Sequence, residues 1–378
     1  MPKTDGAPRR DDRSQPRRPD GQRARGGAAS GSEASGREEP LYGALDLGTN
    51  NCRLLIAKPA RDGFRVVDSF SRIVRLGEGL SRTGRLDHAA MDRAFDALIL
   101  CGERIARKNV CSSRLMAVAT QACRQADNGA AFIERVRLGT GLKLRIIDPV
   151  EEARLAVEGC LNLFDHSAEA VLVVDVGGGS TELSWLRLTG RGGFTLEGWM
   201  SAPVGVVTLA ERHPEPPGEL DLWYEAMVAD MGQAIAAAPV DADLRDVFTG
   251  GRAHMIGTSG AITSLAGIHL GLRRYQRNLV DGLWMTRGDC ENAAAKLMVM
   301  GPGGRAAESC IGPDRADLVL AGAAIMEAVQ RAWPSERVRV ADRGLREGLL
   351  LQQMRADQTA GRRRRRGRGG TRPDQARA

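Results

Sequence analysis

The stretch Ala170-Val171-Leu172-Val173-Val174-Asp175-Val176-Gly177-Gly178-Gly179-Ser180-Thr181 decides how the rest of this 378-residue chain is read. Its continuous apolar run is the pattern of a strand buried on both faces, and it ends in an aspartate and a glycine turn. Three successive glycines let the backbone take φ > 0 and approach a ligand with no Cβ in the way. Their N–H groups can then converge on an anion, and the Ser180 and Thr181 hydroxyls add donors. Much earlier, Leu41-Tyr42-Gly43-Ala44-Leu45-Asp46-Leu47-Gly48-Thr49-Asn50 repeats the device with one glycine and two polar side chains. Either loop alone reads equally well as a plain turn. The repetition predicts two facing loops that hold a chain of phosphoryl groups at two points. An unpaired carboxylate at the end of an apolar strand is costly, and a hydrated Mg²⁺ (or Mn²⁺) is its natural partner. Asp46, Asp175 and Glu182 are the candidate ligands.

Outward from these two stretches, strands alternate with helices, which predicts α/β layers with a largely parallel sheet. A hairpin spans Leu41 to Ala57. A helix follows from about Asp87 to Lys108, with Met91, Phe95, Leu98, Gly102 and Ile105 on one face. A strand at Leu115 to Ala119 leads to a helix capped by Asp127 or Asn128 and stopped by Gly139. Strand Leu142 to Ile147 then precedes a helix opened by Pro149, Glu151 and Glu152. After the second motif come strands near Ser180 to Leu188 and Phe194 to Ser201. Helices are expected at Glu219 to Ala237, Gly260 to Leu270, Asp289 to Met300 and Arg315 to Arg331. Strand Val338 to Ala341 precedes a closing helix from Gly344 to about Met354. The pattern implies a duplication: lobe I over 41–165 and lobe II over 166–341.

The formal charge of +7 suggests a nucleic-acid partner only until it is located. Residues 41 to 354 hold 36 basic and 38 acidic residues, so the excess sits in the tails. Residues 1–40 are rich in Arg, Pro, Gly, Ser and Asp without the apolar run of a signal peptide, and they are expected to be disordered. The same is expected of the Arg-rich tail 356–378, whose run Gly361 to Arg368 reads as a solvated charge run able to touch a polyanion without sequence preference. No segment approaches the apolar length of a membrane span. The seven cysteines form no C-x-x-C pair, which fits a reducing cytoplasm better than a zinc site or a disulfide framework. No G-x-G-x-x-G opens a helix and no G-K-[ST] occurs, so Rossmann and P-loop readings fail. None of the five histidines carries a pattern that assigns it a role.

Seven segments occur in order: DLGTNNCRL from Asp46, ATQACRQADN from Ala119, IIDPVEEARL from Ile146, VVDVGGGSTEL from Val173, GTSGAITSLA from Gly257, RADLVLAGAAI from Arg315 and LREGLL from Leu345. Together they resemble the exopolyphosphatase and guanosine pentaphosphate phosphatase (Ppx/GppA) family, within the actin-like ATPase superfamily, over residues 42 to 351. The resemblance implies two actin-like (ribonuclease H-like) lobes flanking a central cleft, with 342–355 crossing back to lobe I, and a homodimer. It implies that Glu152, the second glutamate of E-E-A-R-L, is the base that activates the attacking water. From the sequence alone, Glu151 and Glu152 read as acidic residues complementing a helix dipole. Asp175 and Glu182 would be the metal- and water-orienting carboxylates, with Asp46 supporting the first loop. Arg53 and Arg124 would lie over the phosphate chain, where a planar guanidinium can bridge two oxygens. Arg315 would serve similarly, or be a surface arginine at a helix start. Gly257, Thr258, Ser259 and Gly260 resemble the superfamily's nucleotide-side loop, or form a capping turn. Asn51 and Ala261 depart from the family's usual serine and threonine. The helical domain with a histidine-aspartate signature that longer members carry is not expected here.

These readings point to metal-assisted hydrolysis of a terminal phosphoanhydride. Inorganic polyphosphate is the favoured substrate, because aromatic residues for a nucleoside pocket are few. The alternatives are a guanosine pentaphosphate 5′-phosphohydrolase, a phosphotransferase on the same lobes, and a non-catalytic sensor of guanosine tetraphosphate, guanosine pentaphosphate or polyphosphate.

Overall fold

The computed structural model describes residues 39–61, 63–190 and 193–368. Strands β1 (Tyr42–Leu47) and β2 (Asn51–Ala60) form the expected hairpin, and β3 (Gly63–Ile73) extends it into an antiparallel meander. Strands β4 (Leu115–Ala119) and β5 (Arg145–Ile146) continue the sheet in parallel beyond β1, for an order of β3-β2-β1-β4-β5. The second sheet begins with the meander β6 (Ala170–Val176), β7 (Thr181–Thr189) and β8 (Gly193–Ala202). It is completed by β9 (Ala253–Thr258), β10 (Trp284–Thr286) and β11 (Arg337–Ala341), in the order β10-β11-β9-β6-β7-β8. Taken from the meander inward, β8-β7-β6-β9-β11 repeats the whole of the first sheet, and β10 is an added edge.

The duplication holds to the residue. Asp46 pairs across the hairpin with Arg53, and Asp175 pairs with Glu182 at the equivalent register. Each turn is closed the same way: Gly48 N–H donates to Asn51 O and Gly177 N–H to Ser180 O, both at 2.9 Å. These are the two actin-like lobes that the repeated motif implies.

One helix from each half crosses to the other. The helix Pro149–Cys160 is capped by the Asp148 carboxylate, which accepts from Glu151 N–H. It buries Val157 and Cys160 against Val171, Val173, Leu186 and Ile256 of the second sheet. The closing helix, Leu345–Arg368, buries Leu345, Leu349, Leu350 and Met354 against Ala44, Leu55, Ala57 and Val118 of the first. The two helices meet backbone to backbone. A Cβ on Gly159 would lie 2.0 Å from Gly344 O, and one on Gly348 would lie 2.1 Å from Leu155 O.

Several boundaries differ from the sequence reading. Strand β3 was not expected, because it lies at an edge and exposes Arg65, Val66 and Val67 in succession, which hides the period of two. Strand β9 carries His254 and Gly257 in an otherwise apolar run and passed for a loop. The helix Gly129–Thr140 stops at Gly141 (φ 74), not at Gly139, which is inside the helix and packs on the Phe95 ring. Helix Arg287–Ala307 runs past Met300 through a kink at Gly301 and Pro302. The helix expected from Arg315 begins at Val319, after a 3₁₀ turn at Pro313–Arg315. The closing helix continues past Met354 to Arg368. Of the tails expected to be disordered, 1–40 and 356–378, residues 1–38 and 369–378 lie outside those described, whereas residues 356–368 are a continuation of the closing helix. Among the described residues, no helix is long and apolar enough to cross a membrane.

Candidate active site

The two glycine turns touch. A Cβ on Gly178 would lie 3.0 Å from Thr49 Cβ and 3.2 Å from Asn50 Cβ and N, and one on Gly179 would fall 1.7 Å from Gln121 Oε1. That Gln121 oxygen also accepts from Thr49 Oγ1 at 3.0 Å, so one buried glutamine braces both turns. None of Gly177, Gly178 and Gly179 has a positive φ, contrary to the expectation that they supply left-handed backbone. Gly178 and Gly179 are needed for close approach of one lobe to the other, and Gly177, where a Cβ would lie 2.8 Å from Ser180 O, for the tightness of the turn itself.

A cleft of about 540 Å³ opens beside this junction. The first lobe contributes Asp46, Gly48, Thr49, Asn50, Arg53 and Glu152 to its walls, and the second contributes Asp175, Gly177 to Ser180, and Glu182. Thr258, Ser259, Gly260 and Arg315 line it too, so Arg315 is a cleft residue. A Cβ on Gly260 would come within 3.7 Å of Arg53 Nη2 and 3.9 Å of Arg315 Nη1, which places both guanidiniums around one backbone position. Ser259 has φ 118, in the region that favours glycine, and its buried Oγ has no protein partner. Strain of this kind persists where the surrounding structure demands it, and it is found most often at functional sites. The side-chain oxygens of Asn50 and Asn51 are likewise buried and unpartnered among the described residues.

Four expected site residues do other work. Thr181 is fully buried and its hydroxyl donates to Val204 O at 2.6 Å, so it holds β7 to the following segment and does not face a ligand. Gly257 lies inside β9, where a Cβ would meet the Ile262 side chain at 3.0 Å; it permits packing. Thr258 reaches the cleft wall, but its hydroxyl is committed to Arg343 O at 2.6 Å. Arg124, expected over the phosphate chain, turns its Nη1 to Ile147 O at 2.7 Å and to Glu152 Oε2 at 3.1 Å.

Burial raises the pKa of every carboxylate in the cluster, and neighbouring carboxylates add to it at Glu152 and Asp175. Burial first, then the nearby Glu182 and Asp175 charges, push Glu152 well above its ordinary value, while Arg124 pulls the other way. Burial, then Glu182 and Asp46, bring Asp175 up to about 7. Burial also raises Glu182, against hydrogen bonds from Ser180 Oγ (2.8 Å) and Ser201 Oγ (2.9 Å) to its Oε1. Asp46 is raised by burial and moderated by Arg53 and Arg346. Buried acids with raised pKa in one cleft mark a candidate functional site, and a divalent cation would favour their charged forms. No group of three His, Cys, Asp or Glu side chains stands ready to hold a metal among the described residues. Asp46, Asp175 and Glu182 are therefore not a preformed cage. That donor set fits Mg²⁺, which is commonly held by one or two carboxylates and completed by water and substrate phosphate.

Sequence reasoning missed Arg277, Arg343 and Arg346, all in the cleft wall. The signal was available. Arg343 and Arg346 follow β11 and open its helix much as Glu151 and Glu152 follow β5 in the first copy.

Two touching glycine turns, a cluster of raised carboxylates and converging arginines in an interlobe cleft are suited to a phosphoryl-handling protein of the actin-like class. Residues 55–357 match the Ppx/GppA phosphatase family, and the chain belongs to it. It is 31% identical to exopolyphosphatase 1 of Mycobacterium leprae over 333 residues, 84% of this chain and 91% of that protein. It is 30% identical to the guanosine-5′-triphosphate,3′-diphosphate pyrophosphatase of Aliivibrio fischeri over 231 residues, 61% of this chain and 44% of that protein. Among solved structures it superposes on an exopolyphosphatase-like protein with TM-score 0.72 and 27% identity, covering 82% of this chain and 98% of that one. A Ppx/GppA family member from Aquifex aeolicus gives 0.66 and 27% over 84% of this chain and 98% of that one.

Proposed function

We propose that the chain is a cytoplasmic exopolyphosphatase that removes the terminal phosphate of inorganic polyphosphate. The observation that carries this reading is Glu152, on a helix that leaves lobe I and enters lobe II, standing beside Asp175 and Glu182 with Arg124 on its carboxylate. A general base needs a pKa raised toward the working pH and a fixed orientation; burial acts in the first direction and the Arg124 hydrogen bond supplies the second. The turns at Gly48 to Asn50 and Gly177 to Ser180 bind the chain end, and Arg53 and Arg315 neutralise the charge spread over the transferring phosphoryl group. Glu152 takes a proton from water as its oxygen attacks the terminal phosphorus. The bond to the bridging oxygen breaks, releasing orthophosphate and a chain one phosphate shorter. Asp175 and Glu182, with Asp46 behind them, would hold Mg²⁺, which screens phosphate charge when bound.

Polyphosphate is preferred to guanosine pentaphosphate because the mycobacterial exopolyphosphatase is matched along nearly its whole length, whereas the pyrophosphatase is matched over less than half. Phosphate release from long polyphosphate and from guanosine pentaphosphate, each with Mg²⁺ or chelator, tests both readings. Glu152→Gln should lower turnover by at least about 10³-fold while leaving binding intact. Equal rates in wild type and variant would sink Glu152 as the base. Tight binding without turnover by the wild type would make the protein a sensor.

A further inference from the structure

The first turn and Arg315 are joined by a connection that the hydrolytic step leaves unused. The segment after β3 folds back on the first turn: Val74 and Arg75 N–H donate to Asn50 O at 2.8 and 3.1 Å, and Gly77 N–H donates to Thr49 O at 2.9 Å. Arg75 sits there at φ 47, a left-handed conformation that residues other than glycine adopt rarely. From the helix His88–Arg107, Arg93 Nε donates to Val74 O at 2.9 Å and backs the segment. Held in this way, the Arg75 side chain reaches across to the second lobe. Its Nη1 and Nη2 grip the Asp317 carboxylate at 3.0 and 3.1 Å, and Nη2 also donates to Asp314 O at 3.0 Å. Asp314 and Asp317 flank Arg315. From within lobe II, the buried Arg305 donates Nε to Ala316 O at 2.9 Å. The short segment that presents Arg315 is therefore pinned by two arginines, one from each lobe.

We infer that Arg75 is a positioning residue that couples the state of the first phosphate-binding turn to the placement of Arg315. The guanidinium–carboxylate pair is partly open to solvent, with side chains 32% and 52% exposed, so it adds little to global stability. Its consequence is geometric. A shift of Asn50 on filling of the first turn moves the Arg75 backbone, and the forked side chain carries that shift to the residues on either side of Arg315. The function of the coupling rests on the proposed hydrolase reading; the coupling itself does not.

Two measurements on Arg75→Ala and Asp317→Asn, made on the full chain, test it. Amide hydrogen exchange without ligand should speed up over residues 314–318 in both variants and leave the β6–β9 amides unchanged. In phosphate-release kinetics on polyphosphate, each variant should lose roughly tenfold in kcat/KM, the scale expected when a charge-stabilising group is displaced. Arg75→Ala combined with Arg315→Ala should be no worse than Arg315→Ala alone, since Arg75 acts through Arg315. Unchanged exchange at 314–318 overturns the coupling whether or not the protein turns over, and additive losses in the double variant overturn the route through Arg315. A wild type inactive on every phosphoanhydride defeats the hydrolase reading instead, and loosened 314–318 amides would still support the coupling. Should Arg75→Ala fail to fold, Asp317→Asn, which keeps shape and removes only the charge, carries the same exchange test.

Discussion

Asp175 shows how a residue's charge state is set by its neighbours. Its carboxyl stands at about 7 in the folded protein against an ordinary 3.8. The native state therefore holds this proton more tightly than the unfolded chain. The associated stability is complete below about pH 4 and is lost as the pH rises through 7. Thermal melts in chelator should show Asp175→Asn equal to wild type near pH 4 and more stable at pH 8, by about 2 to 4 kcal/mol at 1.36 kcal/mol per pKa unit. Added Mg²⁺ should stabilise the wild type at pH 8 and help Asp175→Asn much less. No Mg²⁺ effect on the wild-type melt would count against a metal at this cluster. Glu152 supplies a second pH signature. Because its pKa is raised and a base must be unprotonated, kcat/KM should climb with pH along an acid limb well above the ordinary glutamate range. Arg124 favours the charged carboxylate, so Arg124→Gln should move that limb to higher pH; a limb that stays in place would detach Arg124 from Glu152.

At the scale of elements, glycines divide into those that let two backbones meet and those that meet nothing. Gly159 and Gly348 lie where the two crossing helices touch, and any Cβ there strikes a carbonyl oxygen. Gly159→Ala should force the helices apart and destabilise the fold by about 3 kcal/mol or more, the range of severe overpacking. Gly102, inside the helix His88–Arg107, has open space around its missing Cβ and ordinary helical backbone. Gly102→Ala should therefore stabilise by about 0.5 to 1 kcal/mol, the propensity difference between the two residues. Denaturant unfolding of the two variants checks both signs. Element type was legible where periodicity was strong, as in β1, β6 and the helix beginning at His88. It failed for β9, where one histidine and one glycine masked a central strand, and for β3, whose edge position leaves two adjacent valines exposed and breaks the alternation.

At the scale of the whole molecule, the crossing helices make each lobe depend on the other. The first sheet closes its inner face with residues of the closing helix, and the second does so with the helix that carries Glu152. Ending the chain before Leu345 should expose the Leu55, Ala57 and Val118 face and give insoluble protein. Ending it after Thr359 should preserve the fold and turnover on short polyphosphate, and sedimentation with phosphate release separates the two cases. The sequence by itself determined the duplication, the two strand-aspartate-turn devices and, by resemblance, most residues of the site. Those features are local, since an apolar run, a carboxylate and a glycine within ten residues announce themselves wherever they fold. Only the tertiary structure decided what each of them faces. It turned Thr181 and Gly257 inward, gave Arg124 to Glu152, and brought Arg315, Arg343 and Arg346 into the cleft from distant parts of the chain. It also showed that Gly178 and Gly179 are glycines because the other lobe touches them, and that a Cβ on Gly177 would strike Ser180 O of its own turn. The angle and approach of two packed lobes are a property of their whole interface, and no window of sequence contains it.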